Sequence, residues 1–159
     1  MAASKHRIPE GHHTITPHLV IKGAAKAMDF YKKAFGAEER FRMPGPDGNI
    51  MHAEMQIGSS IFYLADEFPD MGCLGPQGGA SPVTIHLYVE DADAAYKRGV
   101  DAGAKSTMPL QNMFWGDRYG KLVDPFGHHW SIATHLEDLT PDEIGQRAAA
   151  AFGGKGCGA

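Results

Sequence analysis

The sequence has few cysteines, no long apolar run and no excess of positive charge. Its 159 residues include only Cys73 and Cys157, which lie far apart and form no C-x-x-C motif, so a disulfide framework is not expected. No apolar run approaches the roughly 20 residues of a membrane span, and the first residues lack the apolar stretch of a signal peptide. We therefore expect a cytoplasmic protein with no membrane partner.

The charge balance and the composition are those of an ordinary globular chain. With 15 Lys and Arg against 19 Asp and Glu the formal charge is −4, and no basic stripe is visible, so we expect no nucleic-acid partner. Hydrophobic residues make up 43% of the chain and charged residues 21%, which argues against global disorder. The length predicts one domain, or two small modules that share one core.

An internal repeat divides the chain into two modules. A β-branched run followed by an alanine-rich stretch begins at His18 and again at His86, and each copy ends in Gly-Ala. Strand-like segments follow each copy, at 49–57 and 60–65 and then at 119–124 and 129–135. The sequence therefore predicts an α+β fold of two βαβββ modules, at about residues 14–66 and 82–136, within a single domain spanning 8–150.

Three helices are predicted. Apolar periodicity predicts helices over 24–35 and 92–102, with Gly36 and Gly103 as their stop signals. The run Thr-Pro-Asp-Glu from residue 140 has the pattern of a capping box and predicts a C-terminal helix over 140–152. The Gly- and Pro-rich segment 67–81 is a predicted loop, and residues 1–7 and 153–159 are predicted flexible tails.

Alternation along the strand-like segment 49–57 predicts one polar and one apolar face. The polar face holds Ile50, His52, Glu54 and Gln56. The apolar face, which should pack on the helices, holds Met51, Ala53, Met55 and Ile57. Because a carboxylate among apolar neighbours needs water, a partner or a metal, Glu54 is a candidate site residue, and a solvent-exposed face is the alternative.

Nine histidines occur in the chain, and six of them fall in or beside predicted strands. The other three, His6, His12 and His13, are in the N-terminal arm and are expected to be solvated. His18 and His86 occupy equivalent places in the two modules, so both should line a cavity if either does. With Glu54 they are the ligand types of a catalytic metal site. Without a metal, the same groups suit a general base and its orienter, or hydrogen bonds to a ligand or within the sheet.

The repeated modules, with the segments 27–37, 114–118 and 124–130, resemble the vicinal oxygen chelate superfamily. That group includes glyoxalase I, fosfomycin-modifying enzymes, extradiol dioxygenases and bleomycin-binding proteins, and the chain looks most similar to its PhnB-like branch. The resemblance covers about residues 8–150 and implies a homodimer with a curved mixed sheet around a cup that holds substrate, often with a divalent metal. Segment 124–127 is interpreted as a structural turn.

The resemblance places the metal-ligand positions of glyoxalase-type members at Thr16, Tyr63, Thr84 and Ser131. None of these is His, Asp or Glu, which argues against a glyoxalase I-type site. A displaced site at His18, Glu54 and His86, holding Zn, Ni, Mn or Fe, is the alternative. For a metal-free cup, the candidate substrate-binding residues are His18, His52, Glu54, Tyr63, His86, Tyr88, Trp115, Arg118 and His129. The planar fork of Arg118 suits a carboxylate or phosphate, and an ion pair with Asp117 or Asp124 is the other possibility.

Three classes of function follow from this resemblance. The favoured one is a binding protein for a small polar or aromatic molecule, with no cofactor expected. The second is a divalent-metal-dependent lyase, isomerase, transferase or dioxygenase. The third is a metal-free enzyme in which Glu54 or a pocket histidine abstracts a proton. The sequence leaves open whether a reaction is catalysed, and glyoxalase- or dioxygenase-like chemistry is the expectation for an enzyme.

Overall fold

The computed structural model describes residues 6–153, which form two compact units. The first unit runs to Ser81 and includes Pro125–His128, and the second holds Pro82–Asp124 and continues from His129. Cys157 and most of the predicted flexible tails, at 1–5 and 154–159, lie outside the described residues. Cys73 is a free thiol.

Among the described residues, the first unit contains one α-helix, two three-residue 3₁₀ helices (Pro46–Gly48 and Pro69–Met71) and a four-stranded mixed sheet. Its elements are β1 (His18–Ile21), α1 (Ala24–Phe35), β2 (Glu38–Pro44), β3 (Ile50–Ile57) and β4 (Ser60–Asp66). The strand order is β1-β4-β3-β2, with β1 parallel to β4 and the other pairs antiparallel. This is the predicted βαβββ module.

The second unit repeats the same order and adds a terminal helix. Its elements are β5 (Thr84–Tyr88), α2 (Ala92–Ala102), β6 (Lys105–Asn112), β7 (Asp117–Val123), β8 (His129–His135) and α3 (Pro141–Phe152). The strand order β5-β8-β7-β6 matches that of the first sheet, and β5 runs parallel to β8. The predicted α+β class with two βαβββ modules is therefore confirmed.

The sequence analysis did not locate β2 and β6, the strand that follows each helix. Every residue of β2 is exposed, and the polar–apolar alternation in its sequence EERFRMP is confined to the four residues 40–43. β6 is exposed at six of its eight positions and contains Pro109. An edge strand without a fully buried face carries only a short period-2 pattern, which is too short to distinguish it from a loop.

Helix α1 covers the apolar side of the first sheet and has the predicted bounds. Its buried face includes Met28, Tyr31 and Phe35, and it ends where Gly36 takes a left-handed backbone with φ 66°, which glycine adopts without a Cβ clash. The ring of Tyr31 meets that of Phe62 on β4 at 5.7 Å, edge to face. Since neighbouring residues of a strand point to opposite sides, Tyr63 must face away from the helix.

A buried carboxylate holds the start of α1 against the sheet. Gly23 precedes the helix and has no side chain to cap it. Instead, Asp66 at the end of β4 accepts hydrogen bonds from the backbone N–H groups of Gly23 and Ala24, both at 2.9 Å, and from that of Ile50 at 2.7 Å. One side chain thus accepts hydrogen bonds from the starts of both α1 and β3, which are distant in the sequence.

The predicted alternation of a polar and an apolar face along β3 is wrong for the first two residues of the strand. Ile50, assigned to the polar face, is 2% exposed, and Met51, assigned to the buried face, is 46% exposed. The β2–β3 register shifts at Met43 and Pro44, and β3 pairs regularly with β4 only from Ala53 onward. From Ala53 the alternation is as predicted, with Ala53 and Met55 fully buried.

Two further predicted features of local structure are present. Thr140 and Glu143 form the reciprocal capping box that starts α3. Gly127 in the predicted turn has φ 92°, and the preceding Asp124 accepts a hydrogen bond from Trp130 Nε1 at 2.9 Å. Within residues 6–153, no helix is long and apolar enough to span a membrane.

Candidate ligand-binding site

The polar side of the first sheet carries a cluster of three rings and a carboxylate. Strand register sets His18 opposite Tyr63, and Tyr63 opposite Glu54 on the next strand. The Tyr63 ring lies 6.0 Å from that of His18 and 4.8 Å from that of His52, and the two imidazoles are 6.1 Å apart. Four of the predicted site residues therefore share one sheet face.

Glu54 has a partner within this cluster. Its Oε1 lies 3.6 Å from His52 Nε2, and the two side chains are 24% and 27% exposed. The sequence analysis required water, a partner or a metal for this carboxylate; its partial exposure admits water, and His52 forms an ion pair with it when the imidazole is protonated. Both groups remain accessible to a molecule placed on the sheet.

Partial desolvation governs the protonation of His18. Burial lowers the pKa of His18 below its ordinary value, and the like charge of His52 lowers it further. His18 is therefore the neutral imidazole at pH 7, which offers one donor and one acceptor nitrogen.

The N-terminal arm reaches this face, contrary to the expectation that its histidines are solvated. His12 Nε2 and the Tyr63 hydroxyl share a hydrogen bond of 2.7 Å, and their rings are 5.5 Å apart. His12 is thus a part of the cluster that the sequence analysis missed. No strand period or motif links an arm residue to a strand 51 positions away, so no signal in the sequence could have found it.

The second sheet places His86 at the position equivalent to His18. His86 lies opposite Ser131 as His18 lies opposite Tyr63, and its Nδ1 shares a 2.7 Å hydrogen bond with the Ser131 hydroxyl. The ring of Tyr88 is 4.5 Å away, and that of Tyr119 stacks at 5.9 Å. Burial lowers the pKa of His86, an effect that the negative charge of Asp117 opposes.

Two predicted site residues, Tyr88 and Trp115, are joined by Asp117. The Asp117 carboxylate is 4% exposed and accepts hydrogen bonds from the Tyr88 hydroxyl at 2.9 Å and from Trp115 Nε1 at 3.0 Å. His135 Nδ1 lies 2.8 Å from its other oxygen. Burial raises the pKa of Asp117, but the hydrogen bonds from His135, Tyr88 and Trp115 outweigh it and leave the pKa lowered.

His135 is held between two carboxylates. Its Nε2 lies 2.9 Å from Asp138, and the hydrogen bonds to Asp117 and Asp138 raise its pKa. The sequence analysis missed both Asp117 and His135 as site residues. Their direct pairing across β7 and β8 would have been visible had β7 been started at residue 117 rather than 119.

Arg118 and His129 are the remaining predicted site residues, and both belong to strands of the second sheet. Arg118 makes a two-pronged ion pair with Asp93, with Nη2 at 2.6 Å from Oδ1, and donates to Asn112 at 3.1 Å. Of the two possibilities left open for Arg118, the ion pair is present, but with Asp93 rather than Asp117 or Asp124. His129 begins β8 opposite Thr84, on the strand face that also holds Ser131.

The side chains at the aligned metal-ligand positions do not fit a glyoxalase-type metal centre. Tyr63 and Ser131 present hydroxyls that hydrogen-bond to imidazoles, whereas such centres use imidazole and carboxylate ligands. Across residues 6–153, no group of three or more His, Cys, Asp or Glu side chains is arranged to hold a metal ion. His18 and Glu54 share the first sheet while His86 lies in the second unit, and the displaced site stays a prediction.

Comparison with known proteins agrees with this architecture. TioX from Micromonospora sp. ML1 superposes with a TM-score of 0.63 at 27% identity, covering 78% of this chain and 99% of that one. A PhnB protein from Bacillus cereus superposes with a TM-score of 0.60 over 77% of this chain and 99% of that one; at 19% identity it shows the fold alone. These neighbours place the chain in a class of paired βαβββ proteins.

Sequence comparison then gives the family. The model of the glyoxalase/bleomycin resistance protein/dioxygenase superfamily matches residues 11–132, and the chain belongs to this superfamily. An uncharacterised protein of Mycobacterium bovis is 47% identical over 135 residues, covering 82% of this chain and 88% of that protein. The resemblance seen in the sequence motifs is thereby confirmed.

Proposed function

We propose that this protein binds a small polar or aromatic molecule on the ring-bearing face of the first sheet. His18, His52, Glu54 and Tyr63 are the proposed contacts. Of these, Tyr63 stands at an aligned metal-ligand position of glyoxalase-type relatives, and the proposed binding requires no metal. The observation that carries the proposal is the cluster of three rings and one carboxylate on the sheet face opposite α1.

The chemistry of these groups suits a planar ligand with hydrogen-bonding substituents. The imidazole and phenol rings meet at steep angles, 82° between His18 and Tyr63 and 69° between His52 and Tyr63, and so present both edges and faces for aromatic contact. The neutral His18 supplies a donor and an acceptor, and the Glu54 carboxylate accepts from a donor or a cationic group. Ligand sites generally combine such ring surfaces with a few placed polar groups.

The proposal is tested by titrating compounds while observing the histidine ring signals by NMR. Metal-free bleomycin, 4-hydroxybenzoate, nicotinamide and tryptamine sample large and small polar aromatics. We expect at least one to shift the His18 and His52 signals. His52→Ala should then weaken its binding about tenfold, which corresponds to about 1.4 kcal/mol.

His13→Ala is the matched control, because it also removes an imidazole, but one that is exposed in the N-terminal arm and is not a proposed contact. Binding in this variant should equal that of the wild type. A panel that leaves both ring signals in place, or an affinity that His52→Ala does not change, would overturn the proposal.

A further inference from the structure

A mostly apolar cavity of about 210 Å³ opens beside His18 in the first unit. Apart from His18 and Asp66, its lining consists of Val20, Met51, Ala65, Phe68, Met71 and Cys73. The proposed contacts on the sheet face would bind one end of a ligand. This cavity adjoins them at His18 and has room for another part of the same ligand.

The fold builds this cavity from the sheet and the segment that follows it. Val20 and Ala65 are paired on the parallel strands β1 and β4 and form its floor. The irregular start of β3 turns Met51 outward to form one wall. The other wall is the segment after β4, closed by backbone hydrogen bonds between Phe68 and Cys73 at 2.9 and 3.1 Å.

The polar groups of the lining limit what can enter. Both oxygens of Asp66 accept backbone hydrogen bonds, from Gly23, Ala24 and Ile50, so this carboxylate is committed to the fold. The imidazole of His18 is then the group of the lining that can hydrogen-bond strongly to a ligand. Because the lining contains the Asp66 carboxylate and no Lys or Arg side chain, an anionic substituent is disfavoured here, and a hydroxyl that can hydrogen-bond to the His18 imidazole is favoured.

The size and the sulfur content of the cavity favour a single aromatic ring. A cavity of about 150 Å³ holds benzene, so the volume of about 210 Å³ suits a ring with small substituents rather than a fused ring system. Met51, Met71 and Cys73 contribute polarizable sulfur, and thioethers make favourable contacts with aromatic rings.

We infer that this cavity receives a phenol-type group, a single aromatic ring whose hydroxyl is directed at His18. The inference rests on the proposed function, because it names the chemical class of one end of the ligand. The hydroxyl lies where the polar sheet face begins, and the apolar edge of the ring contacts the methionines.

Protection of Cys73 from alkylation tests this inference directly. A Cys157→Ser chain leaves Cys73 as the single thiol, whose reaction with iodoacetamide is followed by mass spectrometry. Binding of 4-methylphenol is first measured by calorimetry. At ten times the dissociation constant, about one protein in ten is unliganded, so alkylation should slow about tenfold.

Two tryptophan variants separate cavity occupancy from other effects. Met51→Trp fills the cavity from its exposed wall and should abolish both binding and protection. Met43→Trp changes an equally exposed methionine, 42% against 46%, that does not line the cavity, and should leave both unchanged. 4-Methylbenzoate carries the same ring with an anionic group and should protect Cys73 less well.

The failure of this inference can be distinguished from failure of the proposed function. If 4-methylphenol neither binds nor protects Cys73 while the compound panel still shifts the His18 and His52 signals, the phenol assignment is wrong and the proposed function stands. Stronger protection by 4-methylbenzoate, or protection that persists in Met51→Trp, also refutes the assignment. If nothing protects Cys73 and nothing shifts the ring signals, both fail.

Discussion

The buried carboxylate of Asp66 offers the sharpest test of how the first unit holds its site in place. Asp66→Asn keeps the size and shape of the side chain but replaces one acceptor oxygen with an NH₂ donor. In the wild type, three backbone N–H groups, of Gly23, Ala24 and Ile50, donate to the carboxylate. Whichever way the amide turns, at least one of them faces another donor.

The expected loss follows from these contacts. A buried donor left without its acceptor costs about 1–3 kcal/mol, and removing negative charge from the start of α1 costs about 0.3–1 kcal/mol more. Asp66 is only 9% exposed, so water does not readily replace the missing acceptor. We expect the free energy of unfolding to fall by about 2–3 kcal/mol, and the melting temperature by about 5–10 °C.

Urea denaturation followed by circular dichroism measures this change. Asp70→Asn is the matched control, since it makes the same chemical change at an exposed aspartate and should alter stability by less than about 0.5 kcal/mol. If Asp66→Asn were equally harmless, the three hydrogen bonds would not hold α1 and β3 as described.

Three further predictions concern the second unit. Thr134, the counterpart of Asp66, accepts a hydrogen bond from the Ala92 N–H and donates one to the Val89 carbonyl, both at 2.8 Å. Thr134→Val should lower the free energy of unfolding, measured in urea, by about 1 kcal/mol, which is less than the loss expected for Asp66→Asn. An equal or larger loss would contradict the charge argument. The pKa of His135 is raised above 6.5, so its stabilising effect is present below pH 6.5 and disappears as the pH rises through the raised pKa. Urea denaturation at a series of pH values across this transition should show the stability of the wild type declining, as the pH rises, relative to that of His135→Gln. Parallel pH profiles would refute this prediction. Asp117→Asn should lower the pKa of His135 in an NMR titration, and an unchanged pKa would show that Asp138 alone raises it.

The repeat in the sequence was sufficient to predict the fold, because each copy combines a β-branched run with an amphipathic helix and a glycine stop. Helices α1 and α2 have the predicted bounds for that reason. The edge strands β2 and β6 were not located, since without a fully buried face each shows only a short stretch of the alternation on which strand prediction depends.

The candidate site could be predicted only where strand period and repeat symmetry determine it. His18, His52, Glu54 and Tyr63 are brought together by strand register, which the alternation of polar residues anticipates. His12 and the partner of Arg118 depend on tertiary contacts across 51 and 25 positions, and no local pattern encodes these. The Met51 wall of the cavity arises from a register shift beside β2, a strand absent from the prediction.

The measurement that tests the central proposal most directly is ligand affinity before and after metal removal. A compound that shifts the His18 and His52 signals is titrated by calorimetry into protein dialysed against EDTA, with metal content measured in the same sample by inductively coupled plasma mass spectrometry. The proposal predicts the same dissociation constant with and without EDTA treatment. Binding that is lost with EDTA and restored by Zn²⁺, Ni²⁺, Mn²⁺ or Fe²⁺ would contradict it and would favour the displaced site at His18, Glu54 and His86.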